Sequence, residues 1–372
     1  MEITSEDLQK LNADSKISRL EALGYLKTAG IQRRAGIYAN NHIHTFYSFS
    51  PYSPTAAVYL AWKSGLCAAG IVDHDSVSGA VEFTEAGRIL GLPTTIGCEC
   101  RVDMSETRLS GRRMNNPDQI SISYAAMHAI PLEKLGVIDS FFAPRRALRN
   151  ERNAMMCEKL SALTKPLGIG IDFESDVLPL SHADEGGSVT ERHILFALVR
   201  KLLALPEPEK ALRKLGLGFN PTGPFPEYSL LDALKANFVE RFYIKATSEC
   251  PPVAEFLELC ESVGAIPTYA YLGDVPESSR GDKKPQRYED GYLDDLFAEI
   301  TRLGFKAVAC MPSRNTAAQL RRISELCREY GLMEICGEDI NSPDQSFLNS
   351  LPDKEASDKL TESTMNLIKR AK

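Results

Sequence analysis

From Gly36 onward, short apolar runs that each close on a polar residue alternate with stretches of helical spacing. Gly36 to Thr45 reads as a strand, and Thr55 to Ser64 as a helix stopped by Gly65. Leu66 to His74 is a second, nearly continuous apolar strand, Val77 to Leu90 a second helix stopped by Gly91, and Thr94 to Val102 a third strand. Ile120 to Ile130, ISISYAAMHAI, alternates as a fourth strand. The alternation resumes near Pro251. Strands are expected at Ala265 to Leu272, Lys306 to Met311 and Leu332 to Ile340. Helices are expected at Val253 to Val263, Tyr292 to Leu303, Thr316 to Tyr330 and Leu351 to Arg370. Apolar strands alternating with helices predict an α/β fold with a parallel sheet buried on both faces, and seven such strands fit a β/α barrel.

Four regions depart from that rhythm. Residues 4 to 30 read as one or two helices, so residues 1–35 are expected as an N-terminal helical cover over the barrel at 36–372. Arg145 to Leu163, Thr190 to Leu203 and Glu207 to Leu215 are helical, while Lys165 to Ser188 and Asn220 to Glu227 are irregular, which makes 140–235 a helical insertion. Ser105 to Asp118 is expected as a surface loop or reversal, and the charged Asp274 to Arg287 as a mobile loop.

Composition narrows the function. The 372 residues carry a net charge of −7 with a pI near 5.6, so there is no electrostatic footprint for duplex nucleic acid. A small anionic substrate stays compatible, because a bound cation dominates its own site. Nine cysteines without a CxxC pair fit reduced thiols in a cytoplasm. The polar start MEITSEDLQKLNADSK is neither a secretory signal nor a transit peptide, and no run approaches the ~20 apolar residues that span a bilayer. Walker A, GxGxxG, GxSxG and HExxH motifs are absent.

The strand ends carry the candidate chemistry. His42 and His44 are two apart, so on a strand both imidazoles face one side. Asp73, His74 and Asp75 close the second strand, Glu99 the third, and His128 lies near the end of the fourth. Tyr271, Arg314 and Asp339 follow the later strands. Functional groups of a β/α barrel collect at the C-terminal ends of its strands, and imidazole with carboxylate suits zinc, manganese or iron. The blander readings are buried structural histidines at 42, 44 and 128, a capped turn through Asp75 and Ser76, and a turn or cap at Asp339, next to Glu338. Arg314, Arg192 with His193, and Arg145 with Arg146 are candidate phosphate binders or plain solvated cations. Tyr269 and Tyr271 are core or pocket residues.

The ordered set resembles the polymerase-and-histidinol-phosphatase (PHP) superfamily: His42-Ile43-His44 as HxH, Asp73-His74 as DH, Gly97-Cys98-Glu99, the lone His128, and Asp339-Ile340-Asn341 where the family has DxH. The resemblance implies a distorted (β/α)7 TIM-like barrel and a metal-dependent phosphoesterase. It assigns His42, His44, Glu99 and Asp339 to one metal, Glu99 and His128 to a second, and His74 to a third. Three usual ligands are replaced, at Ser48–Tyr52, at Tyr269–Tyr271 and at Asn341, so one or two divalent ions (Mn, Zn or Fe) are expected rather than three. The implied reaction is hydrolysis of a small phosphorylated metabolite or nucleotide by metal-activated water. His74 with Asp73 or Asp75 would be ligand or proton donor, and Arg314, Arg192, His193 and Tyr271 would bind the substrate. The alternatives are a degenerate barrel that binds metal and a ligand or partner without turnover, and a metal-dependent hydrolase of a non-phosphate bond.

Overall fold

The computed structural model describes residues 4–30, 33, 36, 38–218, 224–275, 287–348 and 354–370. Two short helices, α1 (Ser5–Leu11) and α2 (Lys16–Thr28), precede strand β1 (Ala39–Ile43). The chain continues through α3 (Pro54–Ser64), β2 (Ala68–His74), α4 (Ala80–Leu90), β3 (Thr94–Asp103) and β4 (Ile122–His128). The helix α3 shows how local sequence sets these boundaries. Ser53 Oγ accepts from the Ala56 N–H, Pro54 occupies the first turn, and Gly65 ends the helix at φ 98°, where a side chain would be strained.

All seven strands form one sheet whose spatial order follows the sequence: β1 to β4, then β5 (Ile266–Ala270), β6 (Ala307–Cys310) and β7 (Met333–Cys336). Past β7 the chain zips onto β1. Ile340 bridges Ile43, the His44 N–H donates to Ile340 O, and the Ile340 N–H donates to His42 O, both at 3.0 Å. The sheet is thereby drawn into a nearly closed, distorted barrel, the α/β architecture expected from the strand count.

The expectation of seven parallel strands is corrected at one position. β4 runs antiparallel to both β3 and β5, while the other pairs are parallel. A parallel return needs a crossover of about a dozen residues or more, usually a helix packed on the sheet. The segment after β3, ETRLSGRRMNNPD, offers no apolar helical face; it makes turns, and the Met104 N–H donates to Ser121 O, closing the reversal. The end of β4 therefore points away from the other strand ends, and His128 sits with the start of β5, paired with Ile266.

Between β4 and β5 lie the long α5 (Leu135–Thr164), α6 (Glu191–Leu203), α7 (Pro208–Lys214), α8 (Pro226–Asn237) and α9 (Val253–Val263). The first four, with the turns between them, enclose their own hydrophobic cluster around Leu160, Ile194, Leu198, Leu231 and Phe242. The barrel and its outer helices share another, which includes α10 (Leu293–Leu303), α11 (Ala317–Tyr330) and Leu360 of α12 (Lys354–Arg370). Buried ion pairs join the two layers. Arg149 of α5 meets Asp75 past the end of β2 at 2.6 Å, and Arg101 of β3 meets Glu191 of α6 at 3.3 Å. At the other flank, Arg19 of α2 forks onto Glu82 of α4 at 2.8 and 2.5 Å, fastening the N-terminal helices. No described helix is long and apolar enough to cross a membrane. Most of the predicted loops at 220–227 and 274–287 lies outside the described residues.

Candidate metal centre

Period-2 alternation turns His42 and His44 the same way at the end of β1. The return from β7 passes hard against them: a Cβ on Gly337 would lie 2.6 Å from His42 N and Cβ, so only glycine permits this approach. Two residues on, Asp339 Oδ1 is 3.3 Å from His44 Nε2. Glu99 enters from β3, with Oε2 3.1 Å from His42 Nε2, 3.7 Å from His74 Nδ1 and 3.9 Å from His44 Nε2. The His44 and His74 rings stack at 4.8 Å, and His42 meets His44 edge-on at 5.0 Å. Ligand atoms of His42, His44 and Asp339, and those of His44, His74 and Glu99, each fall within 4.8 Å of one another.

Three imidazoles and two carboxylates suit zinc, manganese or iron. Donors about 2.1 Å from one ion stand roughly 3.4 Å apart in a tetrahedral arrangement, and these contacts, at 3.1 to 3.9 Å, bracket that value. The electrostatics agree. Burial opposes the charge on Glu99, yet His74, His42 and His44 hold its carboxyl down to about 2. Asp339 is likewise held well below the usual range against burial, first by the His44 imidazole 3.3 Å away. Burial also opposes charge on His42, but Glu99 and then Asp339 lift it to about 9, while burial drives His74 down to about 3. The buried Glu99 and the partly exposed Asp339, 36% accessible, thus both stay ionised in a place that rewards a positive charge.

The remaining predicted residues divide. Asn341 Nδ2 donates to Asp339 Oδ1 at 2.5 Å and so orients that carboxylate. Asp73 does not serve His74; it accepts from the Thr45 N–H, Thr45 Oγ1 and Ser48 Oγ on the neighbouring strand end. His128 lies two residues deeper than Glu99 along β3, opposite Gly97, where a Cβ would come within 3.1 Å of its Nδ1. Burial pushes it to about 3, neither ring nitrogen has a hydrogen-bond partner, and it is outside both ligand groups. Arg314 faces the cavity, and its Nε and Nη2 have no hydrogen-bond partner. Arg192 also lines the cavity, 3.8 Å from Asp232 and over the Phe49 ring. His193 turns away: its Nδ1 accepts from the Thr190 N–H at 3.0 Å, capping α6. Tyr271 lines the cavity with its hydroxyl donated to Asp290 at 2.5 Å, whereas Tyr269 is in the core. Arg145 pairs with Glu255, and Arg146 with Asp139.

The cavity above the centre measures about 540 Å³ and lies between the barrel mouth and the helical layer. Around it stand cations the sequence reading passed over: Arg101, Arg113, Arg149, Lys235 and Lys245. Arg101 was within reach of that reading, because it follows Glu99 by two residues on one strand and so shares its face. The two lysines come from the helical layer, and nothing local in the sequence ties them to the barrel.

No protein-family model matches the chain. Error-prone DNA polymerases are similar over a short stretch. The protein of Mycobacterium tuberculosis is 36% identical over 92 residues, 24% of this chain and 8% of the polymerase. That of Nocardia farcinica is 33% identical over 93 residues, again 24% of this chain and 8% of the polymerase. The chain thus matches only a small part of these relatives' length. Among solved structures, a metal-dependent phosphoesterase from Bifidobacterium adolescentis superposes with a TM-score of 0.59 at 20% identity, over 90% of this chain and 96% of that one. An amidohydrolase from Chromobacterium violaceum, with bound sulfate and no metal, gives 0.57 at 16%, over 85% and 92%. These likenesses show the fold.

Proposed function

We propose that this chain, which has the PHP-type barrel its motifs resemble, is a metal-dependent hydrolase of small phosphate esters. The carrying observation is the convergence of His42, His44, His74, Glu99 and Asp339 from four separated segments at the floor of a cation-lined cavity. A cavity of about 540 Å³ is in the range for a metabolite or single nucleotide. The polymerase likeness and the phosphoesterase neighbour support the phosphate reading.

A divalent ion at this site would supply Lewis acidity and lower the pKa of water. His42, His44, Glu99 and Asp339 would hold it, with His74 as a further neutral ligand through Nδ1. The Nδ1 of His74 lies 3.7 Å from Glu99 Oε2 and falls in one ligand group with Glu99 and His44, so in this scheme His74 is a ligand rather than a proton donor. Arg314, whose Nε and Nη2 lack protein partners, would pair with the phosphoryl oxygens and neutralise charge that builds on them. Arg192 and Tyr271 would contact the rest of the substrate, and the helical layer would close the cavity against bulk water.

The test is metal analysis of the purified protein, followed by phosphate release from a panel of phosphate monoesters and nucleotides with added manganese. Bound metal with phosphate release, both lost in Glu99→Ala and His44→Ala, supports the proposal. Normal turnover by a folded, metal-free variant would refute it. The amidohydrolase neighbour favours a second reading, hydrolysis of a non-phosphate bond. Metal-dependent cleavage of amides or esters with no phosphate release would select it.

A further inference from the structure

Asp73 is buried beside the centre but touches none of the converging ligand atoms. Its two oxygens collect three donors: the Thr45 N–H at 2.7 Å, Thr45 Oγ1 at 2.6 Å and Ser48 Oγ at 2.6 Å. Ser48 Oγ is at the same time 3.1 Å from His44 Nδ1, while Asp73 Oδ1 itself is 4.0 Å from that nitrogen. A serine hydroxyl has one proton. If Ser48 gives it to the carboxylate, the contact with His44 Nδ1 is a hydrogen bond only when the imidazole donates. His44 must then carry its proton on Nδ1. That leaves Nε2, 3.3 Å from Asp339 and 3.9 Å from Glu99, as the nitrogen whose lone pair a metal would take.

We propose that Asp73 and Ser48 act together as positioning residues: the carboxylate orients the Ser48 hydroxyl, and the hydroxyl holds His44 as the Nδ1–H tautomer with Nε2 free for the metal. The inference rests on the metal-site reading above and assigns Asp73 to His44, across the strand boundary, instead of to its sequence neighbour His74. Partners of this kind fix ring orientation and tautomer at metal-binding histidines, and their loss typically weakens metal binding by about 10- to 100-fold. All three residues are buried, with Ser48 and His44 at 2% and Asp73 at 1% exposure, so water is not at hand to replace the hydroxyl.

The experiment is nitrogen-15 NMR of the histidine rings in the metal-free protein, with zinc affinity measured by chelator competition, for wild type, Ser48→Ala and Ser48→Thr. Wild-type His44 should show Nδ1–H, and Ser48→Ala should populate Nε2–H and weaken zinc about 10- to 100-fold. Ser48→Thr, which keeps a hydroxyl, should restore both. A wild-type Nε2–H tautomer, or a folded Ser48→Ala protein with unchanged tautomer and affinity, overturns the proposal. If wild type shows Nδ1–H yet binds no zinc, manganese or iron, the tautomer assignment is supported and the metal-site reading fails.

Discussion

Replacing Arg149 with Met should destabilise the protein by about 3 kcal/mol without touching a proposed metal ligand. Arg149 Nη1 lies 2.6 Å from Asp75 Oδ2, and both side chains are 6% exposed. Removing one partner of a buried pair leaves the other charge desolvated and costs about 3–5 kcal/mol. The lower end applies here, because Arg101 and Arg146 also act on Asp75 and would still offset part of its charge. Asp75 itself has φ 48°, a conformation that Asn adopts readily, so Asp75→Asn removes the charge without adding backbone strain. The assay is urea unfolding of Arg149→Met, Asp75→Asn and the double variant. Each single change should be clearly destabilising. The double variant should be less destabilised than the two losses added, by more than about 1 kcal/mol of coupling. Additive losses, or an Arg149→Met protein within about 0.5 kcal/mol of wild type, would refute the claim that this pair joins barrel and helical layer.

Gly337→Ala should lower both stability and metal affinity, because the new methyl would meet backbone N and Cβ of His42 at 2.6 Å rather than a flexible chain end. Overpacking of this kind costs about 1–3 kcal/mol, and unchanged unfolding together with unchanged zinc affinity would contradict the close approach. His128 and His193 are each pushed down to about 3 by burial, against about 6.5 in an unfolded chain. The unfolded state therefore binds protons that the folded state refuses, and stability falls as pH drops below 6.5, by about 2 kcal/mol for each histidine by pH 5. Urea titrations in chelator should show this slope, reduced by one proton in His128→Leu; an unchanged slope would rule out a neutral, buried His128. Arg314→Ala should lower kcat/KM for phosphate esters while leaving stability within about 0.5 kcal/mol of wild type, since its Nε and Nη2 have no protein partners to lose. Steady-state kinetics beside thermal unfolding would check this.

Much of the barrel was legible because buried parallel strands and their helices differ in period and punctuation, as at Ser53, Pro54 and Gly65 around α3. The direction of β4 was not. ISISYAAMHAI alternates equally well in either direction, and only the absence of an amphipathic helix in the preceding segment hinted at the reversal. The converging ligands were legible as strand-end residues. Asp73 was singled out, but its role could not be read, because its partners Thr45 and Ser48 are brought to it by strand pairing across 28 and 25 positions. His193 drew attention as a neighbour of Arg192, yet the first turn of α6 uses it as a cap. Lys235 and Lys245 reach the cavity only through the packing of the helical layer, which no local pattern encodes.

Anomalous diffraction from crystals soaked in manganese would test the centre most directly. An ion should appear at about 2.0–2.3 Å from nitrogen atoms of His42 and His44 and from oxygens of Glu99 and Asp339, and the peak should vanish in Asp339→Ala. Manganese bound only elsewhere, or retained at full occupancy beside His42 without Asp339, would contradict a site shared between the first and last strands of the barrel.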